Sequence, residues 1–425
     1  MESPPGSARS SPEAEVGMQV EDLWDIQEPQ LTPSEKLNSC FESMPVTSFP
    51  QAPSSQVFEI PSNSSLADAV EILSKNRILS APVRNIEAPE DASWLDRYIG
   101  IVEFAGITVW LLHQSEMAAS GRAARTPNVG HVTDKITAKL SNIKLGCDNS
   151  ETQNPLPEAA DFMGGTFLET LTTSEFYKKT KVQDISGTFR WAPFLALQKS
   201  DSFLTMLLLL SKYRMKSLPV VDLGEGKIDN IITQSAVVHM LAECVGFHWF
   251  ENWGTRKLYE LGLPSNINRI IKVSEDDSVL KAFQLMRKRR IGGVPVVDKS
   301  GKKAIGNISI RDVQYLLTTP EMYKGYRSIT AKVFTRSIKS YIDTHEDASP
   351  RFQGVLTCNR ENTIKDIILK LDAVKVQRIY VVDNEENLEG VVTLRDIISR
   401  LVHEPNHYFG DFFDGVVPLP ENSRV

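Results

Sequence analysis

Residues 291–298 read IGGVPVVD, and residues 304–313 read AIGNISIRDV. Both runs are rich in β-branched residues and a short polar segment separates them, so together they predict two strands joined by a turn. The same pattern occurs at three other places: RIYVVD and LEGVVTLRDI at 378–383 and 388–397, KSLPVVD and IDNIITQ at 216–222 and 228–234, and, more weakly, LSAPV and YIGIVE at 79–83 and 98–103. The sequence therefore contains a fourfold internal repeat.

Each repeat carries helical patterns in addition to its two strands. In the last repeat, Ile364, Ile367, Ile368 and Leu371 form one apolar stripe at helical spacing, and a second helix begins near Leu394. With a short strand ahead of the first helix, the unit reads β-α-β-β-α, which predicts an α/β fold. A unit of about 50–60 residues buries too little apolar surface to be stable alone. We therefore expect the first repeat to pair with the second, and the third with the fourth.

The spacing of the repeats sets the predicted domain boundaries. Pro82 and Pro219 are 137 residues apart, whereas Pro219 and Pro295 are 76 apart, so an insertion separates the first two repeats. The predicted divisions are a disordered tail at 1–18, an N-terminal helical segment at 19–55, repeat 1 at 56–113, a flexible insertion at 114–165, repeat 2 at 179–245, an aromatic linker at 246–265, repeat 3 at 266–318, a linker at 319–350, repeat 4 at 351–404 and a C-terminal tail at 405–425.

Composition excludes several classes of partner. A net charge of −7 over 425 residues argues against nucleic acid, which would require a basic face. The most apolar run, 203–210, is far shorter than the roughly 20 residues that cross a bilayer, so no membrane span is predicted. The four cysteines form no CxxC pair, which excludes a cysteine zinc cluster and fits a reducing compartment. We expect an intracellular protein, in the cytoplasm or the nucleus.

The strand pair with its VPVVD run and its following [ST]-x-x-D resembles the cystathionine-β-synthase (CBS) repeat. Four such repeats resemble the γ regulatory subunits of the AMP-activated protein kinase family. The plant form, from the sucrose-non-fermenting-related kinases, is similar in further segments: VEDLW at 20–24, LNSCFE at 37–42, DISGTFRWAPF at 184–194 and YFGDFFDG at 408–415. This resemblance implies four CBS repeats paired as two Bateman modules in a disc-like body.

The resemblance also implies a function. The chain would be a non-catalytic γ-type subunit of a heterotrimeric Ser/Thr kinase that responds to energy and carbohydrate supply, with a kinase α subunit and a β scaffold as partners. It would require no cofactor, and AMP, ADP or ATP would be its regulatory ligand. An adenosine-ligand sensor or a scaffold that acts on a different enzyme is the alternative.

In the family, an Asp in the first turn of the second helix holds the ribose, and basic residues near the preceding strand hold phosphates. Asp312 and Asp396 occupy the Asp position in repeats 3 and 4, whereas Gly106 and Ala236 stand there in repeats 1 and 2. The implied phosphate-side residues are Lys216, Arg378, Arg311 and Arg395, with Ser309 and Thr393 beside the two carboxylates.

A different interpretation of the two carboxylates rests on local structure alone. Ser309 to Asp312 and Thr393 to Asp396 both have the spacing of a helix capping box. Capping would explain both Asp residues without a ligand, and the two roles can coexist.

No enzymatic motif competes with this interpretation. The sequence contains no GxGxxG, GxxxxGK[ST] or GxSxG, so a phosphate loop and an elbow nucleophile are missing. HEPNH at 403–407 has the HExxH spacing of a zinc protease, but Pro405 would break the helix that such a site requires. We expect neither catalysis nor a metal site.

Overall fold

The computed structural model describes residues 33–49, 57–76, 78–104, 178–185, 195–213, 215–265, 270–289, 291–312, 329–344 and 354–410, together with residues 106, 107, 110 and 315. The predicted tail at 1–18 and insertion at 114–165 lie outside the described residues. Within the described part of the chain, no helix has the length and apolar character needed to cross a membrane.

Strands and helices alternate along the chain in four similar groups. Among the described residues, helix α1 (Pro33–Ser43) comes first. Repeat 1 has β1 (Ile60–Pro61), α2 (Leu66–Lys75), β2 (Ser80–Arg84), α3 (Trp94–Arg97) and β3 (Tyr98–Glu103). Repeat 2 has α4 (Val182–Ile185), β4 (Leu197–Gln198), α5 (Phe203–Lys212), β5 (Ser217–Asp222), β6 (Lys227–Thr233) and α6 (Gln234–Glu243), and α7 (His248–Gly254) follows it. Repeat 3 has β7 (Val273–Ser274), α8 (Val279–Arg289), β8 (Gly293–Val297) and β9 (Ala304–Ser309), followed by α9 (Ala331–Thr344). Repeat 4 has β10 (Thr357–Cys358), α10 (Ile364–Ala373), β11 (Arg378–Val382), β12 (Leu388–Thr393) and α11 (Leu394–Leu401).

The four groups share one sheet topology. In each three-stranded sheet, the first strand runs parallel to the second and the second antiparallel to the third. The third residue of each second strand has an equivalent partner: the pairs are Pro82 with Ile101, Pro219 with Ile231, Pro295 with Asn307, and Tyr380 with Val391. The predicted α/β class and the fourfold repeat are confirmed.

The first helix of each repeat is anchored from outside that repeat. Its N-terminus carries a Ser or Thr, whose hydroxyl accepts from a backbone N–H in the first turn: Ser65, Ser202, Ser278 and Thr363. An isolated β-bridge joins this region to a segment outside the repeat in each case, pairing Ser65 with Lys181, Ser202 with Pro45, Ser278 with Thr330, and Thr363 with Lys257. Segments from elsewhere in the chain therefore hold the start of each of these helices in place.

The sheets pair the repeats as the sequence predicts. Between repeats 1 and 2, Tyr98 packs with Val221 and Ile228, all buried. Between repeats 3 and 4, the Tyr380 hydroxyl donates to Oδ1 of Asn307 at 2.6 Å. Repeat 1 thus pairs with repeat 2, and repeat 3 with repeat 4, through their strands.

Two hydrophobic cores cross between these pairs. One packs α5 and α6 of repeat 2 against α10 and α11 of repeat 4, and Leu207, Ile367 and Ile397 are fully buried in it. The other joins repeat 1 to repeat 3 and α9, with Leu66 and Phe334 fully buried. Sheet contacts and helix contacts therefore connect the repeats in a closed ring, in the order 1–2–4–3.

The N-terminal segment and the C-terminal tail meet on repeat 2. Phe41 of α1 is buried against Phe203 of α5, in the core shared by repeats 2 and 4. The Asn38 side chain donates to the carbonyl of His403 and accepts from its N–H. In the tail, the Tyr408 hydroxyl lies 2.9 Å from Oγ1 of Thr205. The two ends of the described chain therefore close over the start of α5.

Candidate functional site

Equivalent ends of the four sheets meet near the centre of the ring. The first residue of each second strand pairs with the last residue of the third strand: Ser80 with Glu103, Ser217 with Thr233, Gly293 with Ser309, and Arg378 with Thr393. A cavity of about 220 Å³, which we call the central cavity, lies among these ends and is lined by residues of all four repeats. The repeat symmetry itself therefore creates the cavity.

Positive charge predominates in the central cavity. Lys216, Arg311, Arg378 and Arg395 line it, with Glu103 as the acidic residue of its lining. Such an excess of cationic side chains in a partly enclosed space attracts anions. Arg395 also has a structural role, because its Nε donates to the carbonyl of Ser211 in repeat 2 at 2.7 Å. Burial lowers the pKa of Arg395, and the neighbouring carboxylate of Asp396 acts in the opposite direction.

A second cavity lies between repeats 3 and 4, on the side of Asp312. This outer cleft has a volume of about 290 Å³ and is lined by β9, by the start of β11 and by α9. Its volume is at the lower end of the roughly 300–1,000 Å³ that is typical of ligand pockets. Arg311, Gln377 and Arg378 line both cavities, so the two spaces adjoin at these side chains.

Asp312 is held in the wall of the outer cleft by the residue that starts its turn. The Ser309 N–H donates to Oδ2 of Asp312 at 2.6 Å, and the Ser309 hydroxyl donates to the same oxygen at 3.0 Å. The residue is only 9% exposed. Capping therefore fixes the orientation of the carboxylate that lines the cleft.

The rest of the outer cleft is mainly cationic. Its basic lining residues are Arg311, Arg336, Lys339, Lys375 and Arg378, and they come from repeat 3, from α9 and from repeat 4. Tyr380 closes one side: burial raises its pKa to about 12, so the phenol stays protonated and donates to Asn307. The cleft combines one oriented carboxylate with several cations, which suits a ligand with both hydroxyls and phosphates.

Asp396 accepts the same two kinds of hydrogen bond as Asp312 but lies in different surroundings. The N–H and the hydroxyl of Thr393 donate to Oδ2 of Asp396 at 2.8 and 2.7 Å. Among the described residues, Asp396 is not part of the lining of either cavity. On β12, the strand that precedes α11, a Cβ added to Gly390 would be 2.2 Å from Cγ of Pro264, so the aromatic linker is packed directly on this strand.

The structure distributes the predicted site residues over two places. Ser309 and Asp312 line the outer cleft; Lys216, Thr393 and Arg395 line the central cavity; Arg311 and Arg378 line both. Asp312 and Asp396 do not share a cavity. Within the described residues, no group of His, Cys, Asp and Glu side chains is arranged to hold a metal ion.

Sequence reasoning missed Arg336 and Lys339, which enter the outer cleft from α9. They fall in the segment 319–350, which we predicted as a linker, outside any repeat motif. The amphipathic pattern of Ala331–Thr344, with Phe334 and Ile338 buried, would have indicated a packed helix. It would not have indicated which cavity the polar face approaches.

Comparisons with known proteins agree with this architecture. The family model described as CBS domain matches residues 266–318 and 353–403. The SNF1-related protein kinase regulatory subunit gamma-1 of Arabidopsis thaliana is 60% identical over 418 residues, covering 98% of this chain and 95% of that protein. Human 5′-AMP-activated protein kinase subunit gamma-3 is 25% identical over 221 residues, covering 52% of this chain and 42% of that protein. The crystal structure of a protein from Methanocaldococcus jannaschii, presented as an archaeal homologue of γ-AMPK, has a TM-score of 0.53 at 12% identity, covering 84% of this chain and 99% of that one.

Proposed function

The chain belongs to the γ regulatory subunits of the SNF1-related protein kinases, and on that premise we propose that it couples adenine nucleotides to a kinase complex through its outer cleft. The expectation that it is a regulatory protein and not an enzyme is confirmed by its 60% identity to a regulatory subunit over nearly the whole chain. Its partners would be a catalytic α subunit and a β scaffold, in a complex that responds to energy and carbohydrate supply.

The arrangement around Asp312 carries the nucleotide proposal. A carboxylate can accept both vicinal hydroxyls of a ribose, and Ser309 orients this carboxylate through two hydrogen bonds to one of its oxygens. Arg311 and Arg378 lie where the outer cleft adjoins the central cavity. A nucleotide with its ribose at Asp312 would therefore direct its phosphates toward these two arginines.

Three further cations favour a nucleotide with more than one phosphate. Arg336 and Lys339 approach from α9, and Lys375 from repeat 4. Lys375 already pairs with Asp372 at 2.7 Å, so part of its charge is balanced within the protein. We infer that AMP, ADP and ATP share one ribose position and differ in how far their phosphates extend toward the central cavity.

Calorimetric titration of the full chain with AMP, ADP and ATP tests the nucleotide proposal. We expect saturable binding of one nucleotide at the outer cleft, with affinity that falls as salt is raised, because phosphate contacts are screened. Adenosine is the matched control, since it has the ribose and base but no phosphate. Equal affinity for adenosine and ATP would contradict the role given to the cations, and no binding of any of them would contradict the site.

The kinase role is tested by recovery of the tagged full chain from cells. We expect kinase α and β subunits to co-purify with it, and the activity of the assembled kinase to depend on its presence. The chain alone should show no turnover in the same assay. Recovery without any kinase subunit would favour the alternative of a sensor or scaffold for a different enzyme.

The compartment follows from the same proposal. Cys40, Cys244 and Cys358 are free thiols among the described residues. Burial raises the pKa of Cys358 to about 12, so this thiol stays protonated at neutral pH. The free thiols are compatible with the reducing conditions of the cytoplasm and the nucleus, where we propose that the complex acts.

A further inference from the structure

The guanidinium of Arg378 lies directly on the backbone of repeat 3. A Cβ added to Gly293 would be 1.3 Å from Nη1 and 2.4 Å from Cζ of Arg378. A Cβ added to Gly292 would be 3.3 Å from Nη2. Arg378 from repeat 4 therefore occupies the volume that a side chain at position 293 would need.

The backbone at position 293 does not itself require glycine. Gly293 is the first residue of β8, pairs with Ser309 of β9, and does not have the positive φ that favours glycine elsewhere in this chain. Any residue could adopt its conformation. The absent side chain matters because of the space that it leaves for Arg378.

The contact joins two positions that are equivalent in the repeat. Gly293 and Arg378 are equivalent positions, the first residues of β8 and β11 in the two paired repeats. Repeat 3 has no cation at this position, and repeat 4 extends its own across the pair to the place where repeat 3 lacks one. As a result, the guanidinium of Arg378 lines both the outer cleft and the central cavity, as that of Arg311 does.

The guanidinium of Arg378 also has an N–H group that is available to donate a hydrogen bond. Nη1 of Arg378 is buried, and among the described residues it has no hydrogen-bond partner. Buried N–H groups are almost always hydrogen-bonded in folded proteins. A phosphate oxygen at the junction of the two cavities would satisfy this group.

We propose that Gly293 is the positioning residue for Arg378, and that their contact creates a phosphate-binding position at the junction of the outer cleft and the central cavity. This inference rests on the proposed nucleotide site. A residue with no side chain then influences the affinity for the phosphate, because the space that it leaves is the space that the arginine of the other repeat occupies.

Substitution of Gly293→Ala tests the proposal. The atoms that the new methyl would meet are the end of a flexible side chain, so Arg378 can swing away and the melting temperature should change by only about 2 °C. ATP affinity should fall roughly tenfold or more, as expected for the loss of a hydrogen bond to a charged group. Gly106→Ala is the matched control, because a Cβ there meets nothing within 4 Å, and its ATP affinity should stay unchanged.

A double-substitution cycle separates positioning from a general effect. Arg378→Gln should weaken ATP binding as much as Gly293→Ala does, and the double variant should bind no more weakly than Arg378→Gln alone. Effects that multiply, or wild-type affinity in Gly293→Ala, would overturn the proposal.

A ligand-free crystal structure of Gly293→Ala keeps this test independent of nucleotide binding. We expect the guanidinium to leave β8 while the strand stays in place. A shifted strand with the guanidinium still against it would overturn the proposal, even if the wild-type chain bound no nucleotide at all. Failure of the wild-type titration alone would contradict the proposed nucleotide site and not the contact.

Discussion

Asp312 and Asp396 have nearly the same local sequence and very different surroundings. Both follow a hydroxyl residue by three positions, and both accept hydrogen bonds from it through Oδ2. Yet Asp312 lines the outer cleft, whereas among the described residues Asp396 lines neither cavity. The shared feature is this pair of hydrogen bonds, and the difference lies in the segments that pack around it.

The segments that pack beside the two carboxylate-bearing repeats can be identified at two glycines that occupy equivalent strand positions. Gly306 pairs with Val296 in repeat 3 as Gly390 pairs with Val381 in repeat 4. A Cβ on Gly306 would be 3.5 Å from Thr335 of α9, an ordinary contact, whereas a Cβ on Gly390 would be 2.2 Å from Pro264. Gly306, Thr335 of α9 and Asp312 line the outer cleft together, whereas Pro264 is packed directly on the equivalent strand of repeat 4. The nucleotide site that we propose in repeat 3 therefore depends on the segments packed around the motif as well as on the motif itself.

The largest expected effect is a difference in ATP affinity between variants of the two carboxylates. Asp312→Ala should weaken ATP binding roughly 10–150-fold, because hydrogen bonds to a charged group contribute about 1.5–3 kcal/mol. Asp396→Ala, which loses an equivalent cap, should change ATP affinity less than about threefold. Calorimetric titration of both variants measures the difference. Equal losses would mean that the cap and not the cleft determines binding.

The second prediction concerns the packing of the two strands. Gly390→Ala should lower the free energy of unfolding by about 1–3 kcal/mol, because the new methyl would overlap the ring of Pro264, which cannot swing away. Gly306→Ala should cost less than about 1 kcal/mol, since its neighbours are at contact distance. Urea unfolding of the two variants tests this contrast. Equal destabilisation would show that Pro264 does not distinguish the two sites.

The third prediction uses the capping hydroxyls. Thr393→Ala should lower the free energy of unfolding by about 1 kcal/mol, the usual contribution of an N-cap, and should change ATP affinity less than Ser309→Ala does, because Thr393 lines the central cavity and not the outer cleft. Ser309→Ala should weaken ATP binding as well, because Ser309 orients the carboxylate that lines the outer cleft. Unfolding and titration of the same two variants provide both measurements. Equal losses of ATP affinity in the two variants would contradict the placement of the ribose at Asp312.

The smallest expected effect comes from α9. Lys339→Ala should weaken ATP binding up to about fivefold and AMP binding less, because an exposed cation contributes about 0.2–1 kcal/mol to a charge pair. The effect should diminish in high salt. Lys288→Ala is the matched control, since Lys288 is an exposed lysine on α8 that does not line the cleft. Equal effects of the two substitutions on ATP affinity would contradict a contact between α9 and the nucleotide.

Much of the fold could be predicted because its determinants are local. The alternation of β-branched runs and turns predicts each strand pair, and the alignment of Pro82, Pro219, Pro295 and Tyr380 in the sequence is the alignment of the four sheets. The helix caps are local in the same sense, since the hydroxyl and the carboxylate are only three residues apart.

The candidate site was less predictable because its determinants are distant in sequence. The contact of Gly293 with Arg378 joins residues 85 positions apart, and no local pattern indicates it. The approach of Arg336 and Lys339 depends on how α9 packs against β9. Sequence reasoning could therefore identify the carboxylates but not the cleft that distinguishes them.

The ring order of the repeats has a consequence for synthesis on the ribosome. Leu66 and Phe334 are buried in the same core, although 268 residues separate them in the chain. At roughly 5–20 residues per second, translation takes roughly 13–54 seconds to pass from one to the other. During that interval the apolar face of repeat 1 has emerged without its partner. The nascent chain is therefore expected to depend on chaperones until repeat 3 and α9 are complete, which a chaperone-binding profile along the growing polypeptide would show.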